Sequence, residues 1–340
     1  MTGEDLRMLR ERRGLTQSQM AALVNEMTGR KYDKQRLSKW ETGKEVIPRE
    51  ILGRLLLLSI EQTPTEPPRR GVTVAVGLQK GGTAKTATSI NIAYVLARTG
   101  SRVLLVDADP QGNATTHVGV GQAEVVELTN SGRVLYHALM GKAALTDVIR
   151  NTSVGGLDLV PSSIALASAD TELPGNLTNA QTALAEMLDP VRTGYDFIVI
   201  DCAPNLGAVT INALTAADFV LVPCQTEPHA ILGVSAFLET VAKIRRRLNP
   251  RLEVLGILPT MFNGRLSQDR SSMDDITRLW GAENTVFPPV PRATIYAQAA
   301  GANVITLDAD IGAPGAESYA AIAAALLKAT GRLTETVHAA

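Results

Sequence analysis

Cysteine is almost missing from this chain: among 340 residues it has only Cys202 and Cys224, with no CxxC pair and no histidine beside them at metal spacing. That excludes a disulfide-stapled scaffold and a zinc module. Two reduced thiols beside apolar runs remain, and a core role is the expectation for both. No apolar stretch approaches the ~20 residues that a bilayer-crossing helix needs. A secretory leader is not expected, because Glu4, Asp5 and Arg7 interrupt the first turn. The expected compartment is the cytoplasm. Internal repeats are lacking too, and the one biased tract, the Ala-rich run near 320–329, is expected as a surface-packed helix.

Strong net charge is also absent, the sum being -1, but the charges are unevenly spread. Residues 1–60 carry 12 Lys and Arg against 8 Asp and Glu, whereas 72–340 carry 19 against 24. A basic head on a mildly acidic body points to a polyanion bound at the N-terminal end. With 45% hydrophobic and 20% charged residues, the chain is long enough for two or three domains with a sizeable core. Between them EQTPTEPPRRG (61–71) has three prolines and no large apolar residue, the pattern of an extended linker. The expected organisation is a small all-α domain over 1–60, the linker over 61–71 and a larger domain over 72–340.

The larger domain alternates short apolar runs with helical spacing. VTVAVG (72–77), VLLVD (103–107), LDLVP (157–161), FIVID (197–201), FVLVP (219–223) and VLGILP (254–259) read as buried strands. TATSINIAYVLARTG (86–100) keeps apolar residues at helical spacing and stops at Gly100. Continuous apolar strands alternating with helices predict an α/β fold, a parallel twisted sheet flanked by helices.

The turn after the first strand reads Gln79-Lys80-Gly81-Gly82-Thr83-Ala84-Lys85-Thr86. The strict G-x-x-x-x-G-K-[ST] phosphate loop fails here at Gln79 and Ala84. The physics survives: glycines let backbone N–H groups turn inward, and the helix that follows points its positive end at the same spot. Lys85 can reach the β/γ-phosphates of a nucleotide, and the Thr86 hydroxyl is placed to ligate Mg²⁺. Lys80 is the oddity, since two ammonium groups in one short loop repel unless phosphate lies between them. If position 84 requires a positive φ, alanine costs ~1 kcal/mol there. Asp107, Asp109 and Asp201 fall at the C-terminal ends of predicted strands, the edge where ligands bind in open α/β sheets. Such carboxylates can support a hydrated Mg²⁺ and position water for phosphoryl transfer. A plain turn or N-cap role before Pro110 is the other reading of Asp107.

These stretches together resemble the ParA/MinD family of deviant Walker ATPases, whose loop signature is KGGxGK[ST]. The run DADPQGN is similar to its switch I motif and IDCAP to its Walker B motif. Similarity continues through 205–265, VPRATIYAQAAGANVIT and GAESYAAIAAAL, covering most of 72–328. The resemblance implies a P-loop NTPase fold and an ATPase that binds ATP/ADP with Mg²⁺. It implies phosphate binding by Lys80, Gly81, Gly82, Thr83, Ala84, Lys85 and Thr86, with Lys80 acting across an ATP-bound homodimer. Asp109 is the implied residue for orienting the attacking water, and Asp107, Asp201 and Thr86 for serving the metal. Asn263 and Pro291 match the adenine pocket, although a buried amide and a rigid turn explain them equally well. The pattern is nearer to partition ParA proteins than to MinD, whose membrane-binding basic tail TGRLTETVHAA does not resemble.

The N-terminal residues resemble a helix-turn-helix of the phage-repressor type. Thr16 is the expected N-cap of its second helix and Asp33 of the next. The helix predicted over 34–41 presents Lys34, Gln35, Ser38 and Lys39, with Gln17 nearby, as a face suited to a DNA major groove; a small helical dimerisation module with a solvated basic face is the bland reading. NEMTGRKY between the helices is longer than a tight turn. Arg245, Arg246 and Arg247 close a later helix, where they either complement its negative end or bind DNA without sequence preference. Arg265, Arg270, Arg278 and Arg292 are further candidates for such contacts. The expected function is DNA partition with a ParB-type partner on the nucleoid; the alternative is a regulator in which ATP gates operator binding.

Overall fold

The computed structural model describes residues 2–60, 70–176 and 180–330, so most of the expected linker and the last ten residues lie outside the described residues. The N-terminal domain is four helices, α1 (Gly3–Arg12), α2 (Gln17–Thr28), α3 (Lys34–Glu41) and α4 (Arg49–Ile60). Thr16 caps α2 as its sequence suggests: its hydroxyl accepts from Gln19 N at 3.2 Å, and Gln19 Oε1 accepts from Thr16 N at 2.9 Å. Asp33 Oδ1 accepts from Arg36 N at 2.8 Å and starts α3. Leu37 and Trp40 turn inward onto Leu6, Met20, Val24, Ile51 and Leu55. The long segment between α2 and α3 is pinned by Asn25, which accepts from Tyr32 N at 2.6 Å and donates to Tyr32 O at 2.8 Å. That holds the Tyr32 ring edge-on to Trp40, 5.0 Å away.

The larger domain is built on seven strands, β1 (Val72–Val76), β2 (Val103–Ala108), β3 (Arg150–Asn151), β4 (Leu157–Val160), β5 (Phe197–Cys202), β6 (Phe219–Gln225) and β7 (Glu253–Thr260). Their order is β3-β4-β2-β5-β1-β6-β7, parallel throughout except for β3, a two-residue edge paired antiparallel to β4 and too short to leave a periodic signal in the sequence. The strand alternation splits the core in two: Leu104 and Val106 face one layer of helices, Val103 and Leu105 the other. Cys202 and Cys224 are buried free thiols; burial pushes Cys224 up to about 12. Among the described residues no helix is long and apolar enough to cross a membrane.

The Ala-rich helix, Ala316–Ala329, is not on the surface. Tyr319, Ala323, Leu326 and Leu327 are fully buried, and the helix packs between α4 and α5 (Lys85–Arg98). Small side chains let the helices approach closely: a Cβ on Gly53 of α4 would stand 3.0 Å from that of Ala316. Alanine there is a packing residue, which composition alone does not distinguish from a solvated one.

Candidate nucleotide site

β1 ends at Val76 and α5 begins at Lys85, so the loop between them lies at the C-terminal edge of the sheet. Two of its residues need left-handed backbone: Gly82 at φ 74° and Ala84 at φ 63°. The condition set for position 84 is therefore met, and an alanine carries the strain a glycine would avoid. Three loop carbonyls are gripped by side chains. Lys85 Nζ donates to Lys80 O at 2.6 Å, Gln225 Nε2 to Gly82 O at 2.8 Å, and Thr260 Oγ1 to Thr83 O at 3.2 Å. Because the peptide is trans and planar, fixing those carbonyls aims the N–H groups of Gly81, Thr83 and Ala84 the opposite way. The result is a ring of donors at a helix N-terminus, a shape made for phosphate.

The loop forms one wall of a cavity of about 590 Å³, a nucleotide-sized space. Gly81 to Thr86 line it, with Asp109, Met261, Pro291, Arg292 and Tyr296 on the other sides. Tyr296 is clamped at the far end, its hydroxyl donating to Pro314 O at 2.7 Å. Lys80 and Asn263 are not among the lining residues. Lys80 Nζ instead donates to Glu227 Oε2 at 3.1 Å. Asn263 Oδ1 accepts from Arg265 N at 3.1 Å, so its amide closes its own turn, and Met261 forms the cavity wall there.

Strand register brings the carboxylates together, for Asp107 pairs directly with Asp201 across β2 and β5. Asp107 is fully buried and committed as a turn residue. Its Oδ2 accepts from both Thr115 N and Thr115 Oγ1 at 2.7 Å, and its Oδ1 from Asp109 N at 3.2 Å. It thereby holds the strand-to-helix turn that carries Asp109, rather than opening toward the cavity. Asp109 Oδ1 accepts from Gln111 N at 3.0 Å, while Ser162 Oγ pins the Asp109 carbonyl at 2.8 Å. Asp201 Oδ1 accepts from Ser89 Oγ at 2.9 Å, but its Oδ2 is buried with no hydrogen-bond partner. Burial pushes both buried carboxyls up, Asp201 also feeling the charge of Asp107, with the Thr86 and Ser89 hydroxyls opposing. Burial equally pushes the Lys85 ammonium down, opposed first by Asp201. A buried carboxyl oxygen left without a partner, near the Thr86 hydroxyl at the head of α5, is what a hydrated magnesium ion would complete. The donor set fits the metal.

The loop after β5 is braced separately. Asp170 Oδ2 accepts from Asn205 Nδ2 at 2.9 Å and its Oδ1 from Val209 N at 3.0 Å. A Cβ on Gly207 would stand 2.2 Å from that carboxylate, so a larger residue there would displace Asp170 from these partners. Pro204, next to Asn205, lines the cavity.

The DNA candidates divide by position. Lys34, Gln35 and Lys39 are exposed on α3 and Ser38 is half-buried beside them. Gln17 is turned inward: its Nε2 donates to Glu41 Oε2 at 2.8 Å, in a network with Arg10, whose Nε meets Glu41 Oε1 at 2.6 Å. Arg245, Arg246 and Arg247 are exposed at the end of the helix Pro228–Arg247. That helix follows β6 at the C-terminal edge of the sheet and spans about 30 Å, so the three arginines lie toward the opposite edge. Arg265 is exposed, Arg270 donates to Gly264 O at 2.7 Å, Arg278 pairs with Asp275 at 2.7 Å, and Arg292 stands at the cavity rim.

Residues 71–254 match the family model of an AAA domain and residues 3–58 that of a helix-turn-helix domain. Over 220 residues the chain is 40% identical to the sporulation initiation inhibitor protein Soj of Bacillus subtilis, spanning 64% of this chain and 84% of that protein. Over 252 residues it is 36% identical to the chromosome partitioning protein ParA of Caulobacter vibrioides, spanning 74% and 91%. Its fold matches the crystal structure of cobyrinic acid a,c-diamide synthase from Mycobacterium smegmatis with bound ADP and magnesium. The TM-score is 0.64 at 34% identity, covering 76% of this chain and 94% of the other. A phosphate loop with two lysines, aspartates at the ends of the paired strands β2 and β5 and relatives along most of its length thus agree: the chain belongs to the ParA family of partition ATPases, with a helix-turn-helix domain at its N-terminal end.

Proposed function

We propose that this protein is an ATP-hydrolysing DNA-partition switch that pairs two subunits on ATP. The observation that carries the reading is the divergence of the two loop lysines. Lys85 lines the cavity, whereas Lys80 leaves it and extends toward Glu227. In this reading the N–H groups of the loop and Lys85 hold the phosphates of the subunit's own nucleotide, and Lys80 neutralises charge on the partner's. Asp109, fixed by Gln111 N and by the turn that Asp107 pins, orients the attacking water. Thr86 and Asp201 would hold magnesium, which supplies charge neutralisation on the phosphates when bound. The adenine lies toward Pro291, Met261 and Tyr296.

Paired subunits bind DNA without sequence preference through Arg245, Arg246 and Arg247, which makes that binding salt-sensitive. A ParB-type partner stimulates hydrolysis and release on the nucleoid. The exposed Lys34, Gln35 and Lys39 of α3 favour an additional operator-reading role, and with it the rival view of an ATP-gated regulator. Light scattering on the wild type and Asp109→Ala tests the scheme: the variant is expected as a dimer with ATP and a monomer with ADP. A monomer under ATP in both proteins overturns it. ATP turnover that responds to one operator, and never to a DNA-bound partner, moves the assignment to the regulator.

A further inference from the structure

Glu227 stands at the head of the helix Pro228–Arg247, yet its side chain makes no capping bond there. It accepts from Lys80 instead, across 147 residues of sequence. The anchor is firm, because Gln225, two residues earlier at the end of β6, grips the Gly82 carbonyl of the same loop. The pair itself is open to water, with Lys80 30% and Glu227 54% exposed. An ion pair of this kind is weak and screened by salt, the strength suited to a contact that forms and breaks in each cycle.

We infer that Glu227 is a positioning residue that tethers Lys80 in the free subunit and releases it when subunits pair on ATP, so that this ion pair sets the threshold for dimerisation. The inference rests on the proposed pairing. Lys80 cannot serve Glu227 and a partner's triphosphate at once, and a symmetric dimer breaks two tethers. If one exposed pair is worth a factor of roughly 1.5 to 5, the dimer constant carries that factor squared. The tether thus keeps stray dimers from forming at low ATP, with no change to the cavity itself.

The experiment compares Asp109→Ala with Asp109→Ala/Glu227→Gln in Mg-ATP, reading the monomer–dimer constant by sedimentation equilibrium. Removing the carboxylate charge is expected to tighten dimerisation by roughly 2- to 30-fold. The gap should narrow between about 50 mM and about 0.5 M NaCl as the tether of the reference protein is screened. A merely structural effect of the substitution would not depend on salt in this way. Glu227→Asp keeps the charge with a shorter reach, falls between the two, and serves if the glutamine variant melts early. If Asp109→Ala alone stays monomeric under ATP, the pairing itself fails and the tether with it. If it dimerises and the Glu227 variants bind no tighter, or the gap ignores salt, the tether alone is overturned.

Discussion

The phosphate loop and α3, the proposed reader helix, are both short, cationic and introduced by local sequence signals, yet they are built in opposite ways. α3 is finished within its own four-helix domain: Asp33 caps it, Leu37 and Trp40 bury one side, and Lys34, Gln35 and Lys39 are left in water. The phosphate loop is unfinished without distant strands. Gln225 and Thr260 hold its carbonyls, Glu227 holds one lysine, and Asp201 faces the other. A surface that reads a polymer needs only a rigid platform. A site that encloses a triphosphate needs its backbone dipoles fixed from outside.

That contrast can be broken or sharpened by substitution. The largest effect is expected from Trp40→Ala, which removes the largest buried side chain of the reader core and should cost roughly 3–5 kcal/mol of that domain's stability. Calorimetric melting would show it, while Mg-ATP affinity of the larger domain stays within about twofold. A greater loss of affinity would mean that the contact of α4 with the helix Ala316–Ala329 makes the two regions one unit.

Next, Lys85→Ala should weaken Mg-ATP binding by ~10–100-fold, the worth of one charged hydrogen bond. Titration calorimetry would read it, with operator binding by α3 unchanged in the nucleotide-free protein. Thr16→Ala removes the capping box of α2 and should cost about 1 kcal/mol, visible as a lower denaturant midpoint for the reader alone. Ala84→Gly should act in the other direction by a similar or smaller amount. Relief of the positive φ favours the loop's bound shape by roughly 1 kcal/mol at most. Nucleotide affinity should rise up to about fivefold, and unchanged affinity would show that position 84 relaxes on binding.

Contiguous signals were legible, the strands to within two residues at each end. Thr16 and Asp33 cap where expected, α3 spans the anticipated 34–41, and all six predicted strands are present. The loop residues Gly81 to Thr86 do line one cavity with Asp109 and Pro291. What the residue types left open is which partner each polar side chain takes. Gln17 has the type and spacing of a DNA reader, but Glu41 captures its amide. Asn263 looks like a base contact, but its side-chain oxygen accepts from Arg265 N in its own turn. Asp107 resembles a metal carboxylate, yet Thr115, eight residues on, occupies one oxygen twice. In each case a polar side chain takes a protein partner that competes with the ligand its residue type suggests, and only the folded backbone decides that competition.

Sequence alone determined the helix caps, the strand periodicity and the order of glycine, lysine and threonine in the loop, because each follows from bonds and packing within a few residues. Tertiary structure alone decided the two directions of the loop lysines, the orphaned oxygen of Asp201 and the burial of the Ala-rich helix. These depend on parallel strand register, which sets residues far apart in the chain side by side and leaves buried charges no solvent to retreat to.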